Sequence, residues 1–139
     1  MVTKIYSGEN KNLAAISSFI VDQAGRAGFS SRNIYAIQTA VDEACSNIID
    51  HAYGGEGLGF IKVNVDILDS AIKITITDDG LPFNPDEVPE PDLQNAFENR
   101  KERGLGIYFM RKLMDEVSFD FSNKHHNTLV MIKKRDIVS

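Results

Sequence analysis

The sequence predicts a two-layer α/β sandwich, a mixed and mainly antiparallel sheet covered on one face by three helices. Two runs of alternating apolar and polar residues, 60–68 and 72–77, flank the short turn Asp69-Ser70 and read as a hairpin. Two more alternating runs, 117–121 and 128–134, are joined by a polar turn over 122–127 and close the sheet. Three other stretches carry apolar residues at helical spacing. The element order is therefore β-α-α-β-β-loop-α-β-β.

In chain order, residues 2–6 are β-branched enough for a short edge strand. Asn10 or Asn12 can cap a first helix whose stripe is Leu13, Ile16, Phe19, Ile20 and Ala24, and Gly25 and Gly28 end it. Ser30 or Ser31 caps a second helix of about 20 residues, stopped by Tyr53-Gly54-Gly55. Its stripe is Ile37, Val41, Ala44, Cys45, Ile48, Ile49 and Ala52. In the hairpin, Ile61, Val63, Val65 and Ile67 share one face of the first strand, and Ile72, Ile74 and Ile76 one face of the second. Ile107, Met110, Leu113 and Met114 form the apolar face of the third helix. Phe119 and Phe121, two residues apart, belong to one strand face and are expected in the core.

Composition narrows the function classes. With 139 residues, 42% hydrophobic and 25% charged, one domain spanning 1–139 is expected. A formal charge of −5 and a pI near 5.1 argue against direct binding of nucleic acid, which needs clustered cations. The basic run 133–135 reads as a solvated strand end. No apolar run approaches the roughly 20 residues of a membrane-spanning helix. The single cysteine, Cys45, excludes an intramolecular disulfide, and residues 1–8 lack the apolar core of a signal peptide. A soluble, cytoplasmic protein of a reducing compartment is expected.

Three segments carry chemistry. In VDEACSNIIDHAY, residues 41–53, Glu43 and Asn47 stand four apart on one helical face, at the border of the apolar stripe. In ITDDGLPFNP, residues 76–85, a core strand runs into Asp78, Asp79 and Gly80, which puts an acid at the sheet rim, where ligands often bind. In RGLGIYFMRKLMDEV, residues 103–117, a glycine-containing turn opens an amphipathic helix; its free N–H groups and dipole favour phosphate, and Arg103 adds charge. Read singly, each has a plainer alternative: a solvated helix pair, an Asp-Gly turn, a tight loop-to-helix junction. Between the last two lies a proline-rich, charged stretch, 84–103, longer than most loops in compact domains; such stretches usually act as lids or binding loops, or are disordered.

In this order and spacing the segments resemble the nucleotide-binding motifs of the GHKL ATPase superfamily, which includes histidine kinases and gyrase, and are most similar to its small anti-sigma-factor serine kinases. The resemblance covers nearly the whole chain and implies the Bergerat ATP-binding fold. It implies that Asp78 accepts a hydrogen bond from the adenine amino group, with Gly80 part of the same Asp-x-Gly motif. Asn47 would help to hold Mg²⁺, and Arg103, Gly104, Leu105 and Gly106 would cradle the phosphates of ATP. Glu43 would be the general base toward a serine hydroxyl of a partner protein, and 84–103 would be the ATP lid. Thr128 matches a family threonine near the nucleotide, although the family usually has Gly before it and this chain has Asn127.

The function implied is an ATP-dependent serine protein kinase that phosphorylates an anti-sigma-factor antagonist and itself acts as an anti-sigma factor, with the antagonist and a sigma factor as partners and a homodimer as its assembly. The alternative is a non-catalytic module that sequesters a regulatory partner in a nucleotide-dependent way; a carboxylate at position 43 favours transfer. A detached histidine-kinase domain is disfavoured by the absence of a dimerisation helix bearing a phospho-accepting histidine. His51 reads as structural or solvent-facing, His125-His126 as a loop tip without metal-binding partners, and Cys45 as a small buried residue.

Overall fold

A computed structural model describes residues 1–82, 103–123 and 125–135, with the backbone alone for 103–106. Strand β1 is Val2–Ser7, followed by helices α1 (Leu13–Arg26) and α2 (Ser31–Asn47). The hairpin β2 (Phe60–Ile67) and β3 (Ala71–Asp78) comes next, then α3 (Arg103–Leu113), β4 (Glu116–Asp120) and β5 (Asn127–Lys134). The strands form one sheet of order β1-β2-β3-β5-β4, and the expected mainly antiparallel sheet is antiparallel in every pairing. Strand β1 is an edge, as expected, and β4 is the other.

Local chemistry accounts for the boundaries. Ser30, in extended backbone, accepts the Asn33 N–H at 3.2 Å and starts α2. Asn12 precedes α1 but does not cap it: its amide donates to the Ser7 carbonyl and hydroxyl oxygens, both at 2.8 Å, and so ties the end of β1 to the helix. Helix α1 runs through Gly25, and Gly28, at φ +84°, turns the chain away. Beyond Asn47 the helical path widens into a π-helical segment, Ile48–Ala52, where Tyr53 N–H bonds back five residues to the Ile48 carbonyl at 2.9 Å. The short hairpin turn is closed by Leu68 N–H to the Ala71 carbonyl at 2.8 Å.

The core lies between the sheet and the helices. Ile61, Val63 and Val65 of β2, Ile72, Ile74 and Ile76 of β3, and Leu129 and Met131 of β5 pack with Ile16, Phe19 and Ile20 of α1, Ile37, Val41 and Cys45 of α2, and Ile107 and Met110 of α3. Helix α2 contacts both α1 and α3, so it is the element against which the other two are placed. Two expectations fail. Ile67 keeps the right alternation but is 45% exposed, lying past Val65, where the pairing with β1 ends. Phe119 and Phe121 are only half-buried, stacked at 5.9 Å between ring centroids, and Phe119 packs on the core from its margin.

Candidate functional site

Strand alternation builds the site. In β3, Ile72, Ile74 and Ile76 face the helices, and the same period of two turns Asp78 toward them as well. Asp78 is therefore 5% exposed, a buried carboxylate where the sequence reading expects an open rim. In β5 the period set by Leu129 and Met131 turns Asn127 inward, and Asn127 is the cross-strand partner of Asp78. Its amide Nδ2 donates to Asp78 Oδ1 and to the Gly80 carbonyl, both at 2.9 Å. The Gly80 N–H donates to the same Asp78 Oδ1 at 2.9 Å. Asn127 was not among the binding residues expected from the sequence, though extending the strand's alternation by one residue would have found it.

These groups line a cavity whose apolar walls are Ala44, Ile48, Met110 and Leu129, with Phe119 and Phe121 at one side. Asn47, Asp78, Asn127 and Thr128 supply its polar lining. The fold thus brings Asn47 and Asp78, from two separate motifs, to one cavity, with Thr128 beside them. Asn47 leaves its amide nitrogen buried and without a hydrogen-bond partner among the described residues. Such a group costs about 1–3 kcal/mol unless an acceptor reaches it.

Gly80 contributes through contact. A Cβ there would meet the Ala52 carbonyl oxygen at 2.6 Å, and the next residue, Leu81, donates its N–H to that oxygen at 2.8 Å. Only glycine lets the strand exit lie this close to the end of the α2 path. Tyr53 pins the same exit. Its hydroxyl lies 2.6 Å from the Phe60 carbonyl oxygen and 2.7 Å from Asp79 Oδ1, donating to one of them, and accepts the Asp79 N–H at 3.1 Å.

Glu43 is one helical turn from Asn47 but lines a different space, a groove between α1 and α2 with Leu13, Ala14, Ser17, Asp42 and Ser46. Arg103, Gly104, Leu105 and Gly106 form the first turn of α3; their side chains, and residues 84–102 of the stretch 84–103 expected as a lid, lie outside the described residues.

The electrostatics follow from burial. Desolvation raises the Asp78 pKa above the ordinary carboxylate range; the hydrogen bonds from Asn127 and Gly80 oppose the rise, and neighbouring Asp79 adds to it. Desolvation, then the charge of Asp42, raises Glu43. Burial pushes the Cys45 thiol up to about 12, with smaller contributions from Asp42 and Asp78. Among the described residues no three His, Cys, Asp or Glu side chains converge as a metal site, and no helix is long and apolar enough to cross a membrane.

Comparison with known proteins agrees with this arrangement. Residues 6–133 match the family described as "Histidine kinase-like ATPase domain". The chain is 33% identical over 99 residues to the Serine-protein kinase RsbW of Bacillus velezensis, a match spanning 68% of this chain and 61% of that protein. It is 31% identical over 109 residues to the protein of the same name from Bacillus mycoides, spanning 76% of this chain and 68% of the relative. The chain thus spans less than two thirds of the first of these relatives. In fold it resembles the RsbU and RsbW domains of Rv1364c from Mycobacterium tuberculosis, with a TM-score of 0.66, 10% identity, all of this chain and 34% of that one. It also resembles the catalytic domain of the histidine kinase ThkA, with a TM-score of 0.55, 12% identity and 97% of both chains.

Proposed function

The chain belongs to the histidine kinase-like ATPase domain family, and from that premise we propose that it is an ATP-dependent serine protein kinase acting on an anti-sigma-factor antagonist, and that it sequesters a sigma factor when not engaged with that protein. The curated relatives, named serine-protein kinases, support the activity. The observation that carries nucleotide binding is the meeting of Asn47 and Asp78 at one cavity, a buried amide with unused capacity beside a buried carboxylate. A cytoplasmic homodimer that makes no direct contact with nucleic acid or membrane completes this reading.

Asp78 has one carboxylate oxygen taken by Gly80 and Asn127, and the other suits the amino group of adenine. Ala44, Ile48, Met110 and Leu129 fit the faces of a flat apolar base. Asn47 fits the phosphate end: its amide oxygen is a hard ligand suited to Mg²⁺, and an Mg²⁺ held mainly by phosphates and water needs no cluster of protein carboxylates. Bound there, Mg²⁺ would neutralise charge on the transferring phosphoryl group. The helix start at Arg103, Gly104, Leu105 and Gly106 would supply N–H groups and one cation to the phosphates.

Glu43 would accept the proton of the incoming serine hydroxyl, whose oxygen would take the γ-phosphoryl group of ATP with ADP as the leaving group. A carboxylate with a raised pKa is the stronger base, and the groove beside Glu43 leaves room for an approaching protein segment. The presence of a carboxylate at position 43 favours transfer over a purely nucleotide-dependent docking module. The test is incubation with Mg²⁺, γ-labelled ATP and candidate antagonist proteins from the same genome. Label on a serine of one of them is expected; nucleotide and partner binding without label would leave the docking module.

A further inference from the structure

We propose that Asn127 is a positioning residue for nucleotide recognition: it holds Asp78 by one carboxylate oxygen so that the other is presented to the amino group of the base. This rests on the reading of Asp78 given above and adds a residue that the motifs do not contain.

The geometry fixes the amide. An asparagine NH₂ has two hydrogens, and both are spent, one on Asp78 Oδ1 and one on the Gly80 carbonyl, each at 2.9 Å. The flipped amide would set its oxygen against two acceptors, so only one orientation satisfies the site. Asp78 Oδ1 in turn receives two donors, Asn127 Nδ2 and Gly80 N–H, which fill its lone pairs. Asp78 Oδ2 has no hydrogen bond among the described residues, while Asp78 lines the cavity. The plane of the carboxylate is thereby set, and Oδ2 is the oxygen that the described residues leave open to a ligand. Without Asn127, the Gly80 N–H alone would hold the carboxylate, and it could rotate about its terminal bond.

Asn127 also favours the charged form of the carboxylate. Among the described residues the titratable groups facing Asp78 are Asp79 next in sequence, Tyr53 at the end of the α2 path and Cys45 on α2; none of these is cationic, and burial opposes ionisation further. The hydrogen bonds from the Asn127 amide and the Gly80 N–H offset this, the Asn127 contribution being the larger. Both residues at 8% and 5% exposure are shielded from water that could replace the contact.

The test is titration calorimetry with ADP and with inosine diphosphate, which carries an oxygen where ADP carries the amino group. Asn127→Ala should bind ADP about tenfold more weakly, the worth of a hydrogen bond to a charged group, and bind inosine diphosphate as wild type does. Its loss of ADP affinity on acidification should also begin at higher pH. Asn127→Ser, too short to reach Asp78, should do the same and serves if the alanine variant does not fold. Unchanged binding of ADP, or an equal loss for both nucleotides, would overturn the proposal. Asp78→Asn is the reference: if it keeps the preference for ADP over inosine diphosphate, the reading of Asp78 itself fails, separately from the role of Asn127.

Discussion

Asp78 and Asn127 are the last cross-strand pair of β3 and β5, and both turn inward, so a hydrogen-bonded polar pair at 2.9 Å stands where the alternation of each strand would otherwise place two apolar residues. The two pairs before it on that face are core, Ile76 opposite Leu129 and Ile74 opposite Met131. The sheet thus changes from packing surface to polar cavity lining within two residues, with no bulge or bend needed to re-aim a side chain.

Replacing Asp78 by asparagine should leave the fold intact and weaken ADP binding by about tenfold to a hundredfold. The amide oxygen can still accept from Gly80 and Asn127, while the other atom becomes a donor facing a donor. Stability should respond in a defined direction. Burial raises the folded pKa of Asp78, so its ionised form subtracts from stability; that deficit is full above the folded pKa and vanishes as pH falls below the unfolded value. Asp78→Asn should therefore be at least as stable as wild type at pH 7, with the difference shrinking on acidification. Urea unfolding at several pH values checks this, and a variant less stable at pH 7 than at acid pH, relative to wild type, would refute it.

Gly80→Ala should cost about 1–3 kcal/mol, because the added Cβ meets backbone that cannot swing aside, the Ala52 carbonyl at 2.6 Å. Denaturant midpoints measure the loss. ADP affinity should fall too, since the Gly80 N–H is one of the two donors that hold Asp78.

Cys45 should be inert in the native protein. It is fully buried and its thiol is pushed up to about 12, so almost no thiolate exists at neutral pH. A chromogenic disulfide reagent should react at least about a thousandfold faster in denaturant than in buffer, and the native rate should track global opening.

Much of this was legible in the sequence. Alternation in 60–68 and 72–77 identified the hairpin and its core isoleucines, and the helical spacing of Ile37, Val41, Ala44 and Cys45 identified the buried face of α2. The same rule, carried two residues past Ile76 and one residue before Thr128, would have placed Asp78 and Asn127 indoors; the polar character of both residues hid their orientation. Other features depend on tertiary contacts that no local pattern encodes. Ile67 is exposed where the pairing of β2 with β1 has ended, at Val65. Asn12 bonds to Ser7 because β1 ends beside it, and Tyr53 reaches Asp79 only once the sheet has formed. The groove that separates Glu43 from the Asn47 cavity depends on how α1 lies against α2, which the four-residue spacing could not reveal.

The most direct test of the account compares phosphoryl transfer and nucleotide affinity in wild type, Glu43→Gln and Asn47→Ala, using γ-labelled ATP, Mg²⁺ and the acceptor protein found as above. Glu43→Gln should bind Mg-ATP as wild type does and transfer about a hundredfold or more slowly, whereas Asn47→Ala should lose Mg²⁺-dependent affinity as well as rate. Transfer at the wild-type rate in Glu43→Gln would contradict the mechanism.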